Sequence, residues 1–189
     1  MPDTGLLLAG TAVNTNAGFN DWQYPSRVTV DSTTTTTSSQ DAYDESDYLD
    51  VTNFGASVPS SATITGVKIT YDTKASTNND ISVNLIKLII EGSVTGNDLA
   101  GSVEYWKIGY TDSPFERGGD AELWGLDGGT FPQVTADQLN ASTSGVRIQV
   151  EDRGGGADIA YVQAVWMTIY YTEAASASSG FFKLMGQLG

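Results

Sequence analysis

Apolar and polar residues alternate with a period of two over much of this chain, and glycine or proline breaks the alternation every dozen or so residues; this limits its folding most. Val67, Ile69 and Tyr71 alternate with Lys68, Thr70 and Asp72, and Val146, Ile148 and Val150 alternate with Arg147, Gln149 and Glu151. Each run reads as a strand with one wet face. Ile81, Val83 and Leu85 begin another, but Ile86, Leu88 and Ile90 then take over the apolar role. That change of phase predicts a bulge near Leu85 or a strand covered on both faces. The longest run, Ile159 to Tyr171, is expected to be a central strand, with Ile159, Tyr161, Val165, Met167, Ile169 and Tyr171 on one face. Arg27 to Val30 is read as a short strand leading through Asp31 and Ser32 to Thr33–Thr37, where β-branching disfavours helix.

Gly55, Pro59-Ser60-Ser61, Gly118-Gly119, Gly128-Gly129 and Gly154-Gly155-Gly156 supply the turns. The one plausible helix is a turn or two at Thr135–Leu139, with Thr135 as its N-cap. Many short strands without a long amphipathic helix predict an all-β fold, an antiparallel β-sandwich. The 189 residues are enough for one such domain, burying roughly 70% of the surface that the unfolded chain exposes. Composition sets the expected boundaries. Residues 1–24, rich in Gly, Asn and Thr, are read as an N-terminal arm, 25–173 as the sandwich, and 174–189 as a Ser/Ala spacer and an apolar tail.

Composition also removes whole classes of chemistry. With no His and no Cys, the chain has no imidazole base, thiolate nucleophile, disulfide, zinc finger, or histidine or cysteine ligand for haem to offer. Nine Lys and Arg against 23 Asp and Glu give a formal charge of −14, which repels a nucleic-acid backbone. No stretch resembles a membrane span or a secretory leader, since Leu6-Leu7-Leu8-Ala9 is too short and follows Asp3. The expectation is a soluble, cytosolically made protein with no cofactor.

Several clusters invite chemistry and have plainer readings beside it. Asp41, Asp44, Glu45, Asp47 and Asp50 could surround a hard cation, but they lack the EF-hand pattern and read first as a solvated acidic loop. Asp152-Arg153-Gly154-Gly155-Gly156-Ala157-Asp158 resembles a phosphate cradle, yet strand residues follow where a helix would be needed, so a hairpin loop is expected. Glu104, Asp120 and Glu122, with Trp106 and Trp124 as platforms, are the residues available to a glycosidase; ordinary loop charge is the favoured reading. Trp22, Tyr24, Trp106, Tyr110 and Phe115 could form an exposed sugar-binding surface, although strand-spaced aromatics more often belong to a core or interface. In the tail, Phe181, Phe182, Leu184, Met185 and Leu188 are the candidate partner-binding residues. Left in water, each would forgo roughly 1.5–3 kcal/mol relative to burial. Phe181, Leu184, Met185 and Leu188 would share one face of a helical turn. Folding back on the sandwich is the alternative.

Three stretches carry a family resemblance. They are Asp50-Val51-Thr52-Asn53-Phe54-Gly55 running on to Val58-Pro59-Ser60-Ser61-Ala62-Thr63-Ile64-Thr65-Gly66-Val67, then Gly118-Gly119-Asp120-Ala121-Glu122-Leu123-Trp124-Gly125-Leu126, then Val162 to Tyr171. Over residues 45–172 the chain resembles a family of tailed-bacteriophage virion proteins with a jelly-roll-like β-sandwich. Ala56 stands where that pattern often has an aromatic. The resemblance implies a non-enzymatic structural protein of the virion, at the head surface, the neck or the tail. Its partners would be other virion proteins, and it would form a homo-oligomer without nucleic acid or membrane. A capsid decoration protein docking through its terminal arms is the first expectation. A neck or tail component, or a carbohydrate-binding module at a tail tip, is the alternative.

Overall fold

The computed structural model describes residues 2–30, 35–101, 103–109 and 114–174. Among the described residues ten strands form two five-stranded sheets packed face to face, and every strand ladder is antiparallel. In chain order they are β1 (Leu7–Leu8), β2 (Thr11–Thr15), β3 (Thr36–Gln40), β4 (Tyr48–Thr52), β5 (Thr63–Ala75), β6 (Ile81–Ile90), β7 (Ser93–Thr95), β8 (Phe115–Gly118), β9 (Gly145–Asp152) and β10 (Asp158–Thr172). One sheet runs β1-β10-β5-β8, with β3 also paired to β10; the other runs β2-β4-β9-β6-β7. The fold is the antiparallel β-sandwich expected from the sequence. Between the sheets lie Leu49, Val51, Val67, Ile69, Ile86, Leu88, Val146, Ile148, Val165, Met167 and Ile169, all buried.

The phase change in β6 is a bulge: its register with β9 slips between Val83 and Leu85, so Ile86 and Leu88 become core residues. A second bulge, which the alternation does not reveal, lies in β10. There the register with β5 slips between Val162 and Ala164. Ala160 and Val162 therefore join the core before the slip, and Val165, Met167 and Ile169 join it after. Ile159 and Tyr161 consequently lie half-buried on the opposite face from Val165, where the Lys74 ammonium sits 4.7 Å from the centre of the Tyr161 ring. As expected, β10 is central, with β5 on one side and β1 and β3 on the other.

Two other expectations change. Pro25–Thr29 is a 3₁₀ turn, not a strand. Pro25 presets a helical φ, and Val28 is the one buried residue of the segment, so a single turn satisfies it. The leader, read as an arm, is built into both sheets. Thr4 N–H donates to Ile169 O, β1 pairs with β10, and the chain then crosses at Gly10 so that β2 pairs with β4. Only glycine fits that crossing, because a Cβ there would lie 2.7 Å from the Asn53 carbonyl oxygen. The α-helix α1 (Ala136–Asn140) begins where expected, with Thr135 and Gln138 forming a reciprocal capping box. The apolar tail, with Phe181, Phe182, Leu184, Met185 and Leu188, lies outside the described residues, as do Thr33, Thr34 and Tyr110.

Of the three stretches singled out in the sequence, 50–67 and 118–126 close one corner of the sandwich, and 162–171 lies in the central strand β10. Asn53 and Gly55 both take positive φ, and the Asn140 side chain clamps Val58 by donating to its carbonyl at 2.8 Å and accepting from its N–H at 2.9 Å. Trp124 is fully buried, and its indole N–H donates to Val67 O at 2.9 Å. A Cβ on Gly118 would sit 2.8 Å from that indole nitrogen, and one on Gly66 would strike the carbonyl of Gly119. Glycine is required at both close approaches.

Candidate functional site

The acidic stretch 41–50 does not form a cluster; Asp44, Asp47 and Asp50 have separate tasks. Asp50 projects from β4 directly opposite Arg147 of β9. The guanidinium donates Nε and Nη2 to the two carboxylate oxygens at 2.6 Å each and lies over the Tyr48 ring at 4.3 Å. Asp44 accepts from the Asn20 amide and from Glu45 N–H. Asp47, three residues before Asp50, turns inward and is completely buried. Among the described residues no three acidic side chains are gathered so as to hold a metal ion.

Asp47 organises the loop between β2 and the 3₁₀ turn. Its Oδ1 accepts from Ala17 N–H at 2.8 Å and Phe19 N–H at 3.1 Å, while Oδ2 accepts from the Asn14 amide at 2.9 Å. Burial pushes the carboxyl pKa up, but these hydrogen bonds outweigh it and hold the group below its ordinary value. The Asp47 carbonyl accepts from the Trp22 indole, and Asn14 Oδ1 accepts from Trp22 N–H, both at 2.8 Å. Main-chain bonds from Asn20 N–H to Glu45 O and from Asp47 N–H to Asn20 O complete the cage.

Above the cage opens a cleft of about 720 Å³, lined by the loop residues Asn16, Phe19, Asn20, Asp21 and Gln23 and by Ser39 of β3. Phe19 is 45% exposed at its rim. Gln23 and Thr37 exchange main-chain hydrogen bonds, which fixes the loop wall against the β3 wall. The sequence reading passed over this loop as part of the leader. The available signal was a solitary Phe among the amides and carboxylate of Asn14, Asn16, Asn20 and Asp21.

Most of the other candidates are occupied by the fold, while Asp120 is exposed. Trp106 and Trp124 are wholly buried, so neither is a sugar platform, and Trp22 is buried as well. Phe115 is half-buried and stacks on Tyr71 with ring centres 5.7 Å apart; Tyr24 alone of that described set is broadly exposed, with Arg27 over its ring. Glu104 pairs with Arg117 at 2.7 Å, and Glu122 accepts from Trp124 N–H at 2.6 Å. These contacts tether Glu104 and Glu122 to neighbouring structure. The Asp152–Asp158 segment is a hairpin loop between β9 and β10, as expected. In it Asp152 Oδ1 accepts from Gly154 N–H at 2.6 Å, and Arg153 pairs with Glu151.

No family model and no curated protein matches this sequence. Among solved structures the chain is similar to three carbohydrate-binding proteins. One, described as "CBM4 structure and function", is 12% identical with a TM-score of 0.36, over 73% of this chain and 85% of that one. A family 29 carbohydrate-binding module from Piromyces equi is 13% identical, TM-score 0.36, over 89% and 91%. The N-terminal cellulose-binding domain of Cellulomonas fimi β-1,4-glucanase C is 10% identical, TM-score 0.34, over 86% and 87%. At these identities and scores the likeness carries no information about what this chain binds.

Proposed function

We propose that this chain is a non-enzymatic structural module of a tailed-phage particle, a rigid sandwich docked among neighbouring virion proteins. One observation carries the reading: most of the residues best suited to chemistry are committed to holding the fold. Asp47 anchors a loop, Asp50 an ion pair and Glu122 the Trp124 backbone, while both candidate tryptophans are core. Two of the three stretches that resemble phage virion proteins, 50–67 and 118–126, supply the turn, glycine and tryptophan contacts that close one corner of the sandwich. A charge of −14 favours an outward-facing position away from packaged DNA. Capsid decoration is the first placement, and neck or tail the second.

The test is genetic and visual. A chain tagged within the exposed Gly155-Gly156 turn should decorate intact particles, on the head surface, in labelled electron micrographs. Deleting residues 181–189 should abolish incorporation while leaving the thermal melting of the isolated sandwich unchanged. Particles that carry no label, or that incorporate the truncated chain at full copy number, would overturn the docking mechanism.

A further inference from the structure

We infer that the cleft between residues 16–23 and β3 is a binding site for a neutral saccharide, with Phe19 as its stacking platform. This goes beyond the structural role and does not depend on it.

The first support is rigidity. Asp47 receives two main-chain N–H groups of the loop, its carbonyl holds the Trp22 indole, and Gln23 is paired to β3. The walls are thus ordered on folding, and a ligand need not order them again. A loop fixed from within in this way keeps Phe19, an aromatic side chain, half in water at the rim of a polar cavity. Burial in the sandwich would have stabilised that ring more.

The second support is the chemistry of the walls. Asn16 and Gln23 present amides that both donate and accept, Ser39 presents a hydroxyl and Asp21 a carboxylate. Among the described residues no cationic side chain lines the cleft, and the whole chain is strongly anionic, which disfavours phosphates, sulfates and carboxylates. Among the described residues Phe19 is the single large apolar group in the lining, so a lipid or aliphatic ligand finds little there to bury against. A pyranose meets both conditions: one face of its ring is C–H and packs on an aromatic, and its edge is a row of hydroxyls. The cavity of about 720 Å³ lies within the ordinary range for small-molecule sites.

The test uses the full ¹⁵N-labelled chain and neutral hexasaccharides of β-1,4-glucose, α-1,4-glucose, β-1,4-mannose and β-1,4-N-acetylglucosamine. Each is added at about 10 mM, enough to detect millimolar affinity. At least one should shift the amide resonances of residues 16–23 and Ser39 while leaving the far end of the sandwich unmoved. Phe19→Ala should weaken that binding at least about tenfold, or 1.4 kcal/mol. Tyr43→Ala, which removes an exposed aromatic outside the cleft, should leave it unchanged. Should Phe19→Ala unfold the chain, Gln23→Ala and Ser39→Ala serve in its place. Silence at these resonances with all four sugars, shifts mapping elsewhere, or wild-type affinity in the cleft variants would overturn the inference. So would an equal response to an oligogalacturonate, since the site would not then be selective for uncharged sugars.

Discussion

Asp47→Ala removes the acceptor that Ala17 N–H, Phe19 N–H and the Asn14 amide share at 2.8, 3.1 and 2.9 Å. Hydrogen bonds to a charged group contribute roughly 1.5–3 kcal/mol each, and an orphaned buried donor costs about 1–3 kcal/mol. Asn14 retains a contact to Asp21 at 3.2 Å, so the two main-chain donors dominate the loss. Water entering the space left by the carboxylate recovers part of it. The expected destabilisation is about 3 kcal/mol, or roughly 6–12 °C in melting temperature for a domain of this size. Asp47→Asn keeps a carbonyl for both N–H groups but turns an amide towards the Asn14 amide, and should cost about 1–1.5 kcal/mol. Urea titration measures both, as a lower midpoint at unchanged slope. The pH dependence separates charge from packing. A carboxyl held below its ordinary value contributes stability that is complete above the unfolded pKa and disappears as pH falls through the folded one. The gap between wild type and Asp47→Asn should therefore be full at about pH 7 and shrink towards about pH 3. A loss under about 1 kcal/mol for Asp47→Ala, or a gap indifferent to pH, would refute the cage.

Gly66→Ala should cost about 3 kcal/mol or more, because the new Cβ meets main chain that cannot swing aside: the Gly119 carbonyl, and the Asp120 carbonyl carbon at 2.6 Å. Urea unfolding of the variant checks this, and a loss under about 1 kcal/mol would mean that the 118–120 segment is free to move. Asp152→Asn should act in the opposite direction. Burial is the main cause raising the Asp152 pKa, opposed by the bond from Gly154 N–H and reinforced by Asp158 and Asp80. Its Oδ2 is buried without a partner. A raised folded pKa gives stability that is present below the unfolded value and lost as pH rises through the folded one. The variant should thus melt higher than wild type at about pH 7, with the advantage vanishing near about pH 3.

Strands that bury one face were legible because alternation records burial directly, as in Val67-Ile69-Tyr71 and Val146-Ile148-Val150. The bulge in β6 was legible for the same reason, since polar Asn84 and Lys87 mark the shift of phase. In β10 both sides of the bulge are apolar, so Ile159 and Tyr161 could not be told from Ala160 and Val162 by hydrophobicity. The leader failed differently. Its strands are short and lie against β10 and β4, where main-chain pairing to a neighbour already present asks little of the side chains.

The same asymmetry governs the acidic stretch. Asp50 was placeable in principle: alternation with the buried Leu49 and Val51 turns it outward, and the mirrored pattern in β9 turns Arg147 towards it. Nothing similar marks Asp47. Two of the partners that separate it from a solvated loop acid are the N–H groups of Ala17 and Phe19, and a main-chain donor has no signature in the amino-acid alphabet. A carboxylate satisfied by another side chain leaves two correlated residues in a sequence; one satisfied by backbone leaves only itself. The cleft inherits that invisibility, because what makes Phe19 a fixed platform and not a loop residue at liberty is the acceptor 28 residues away that holds its amide.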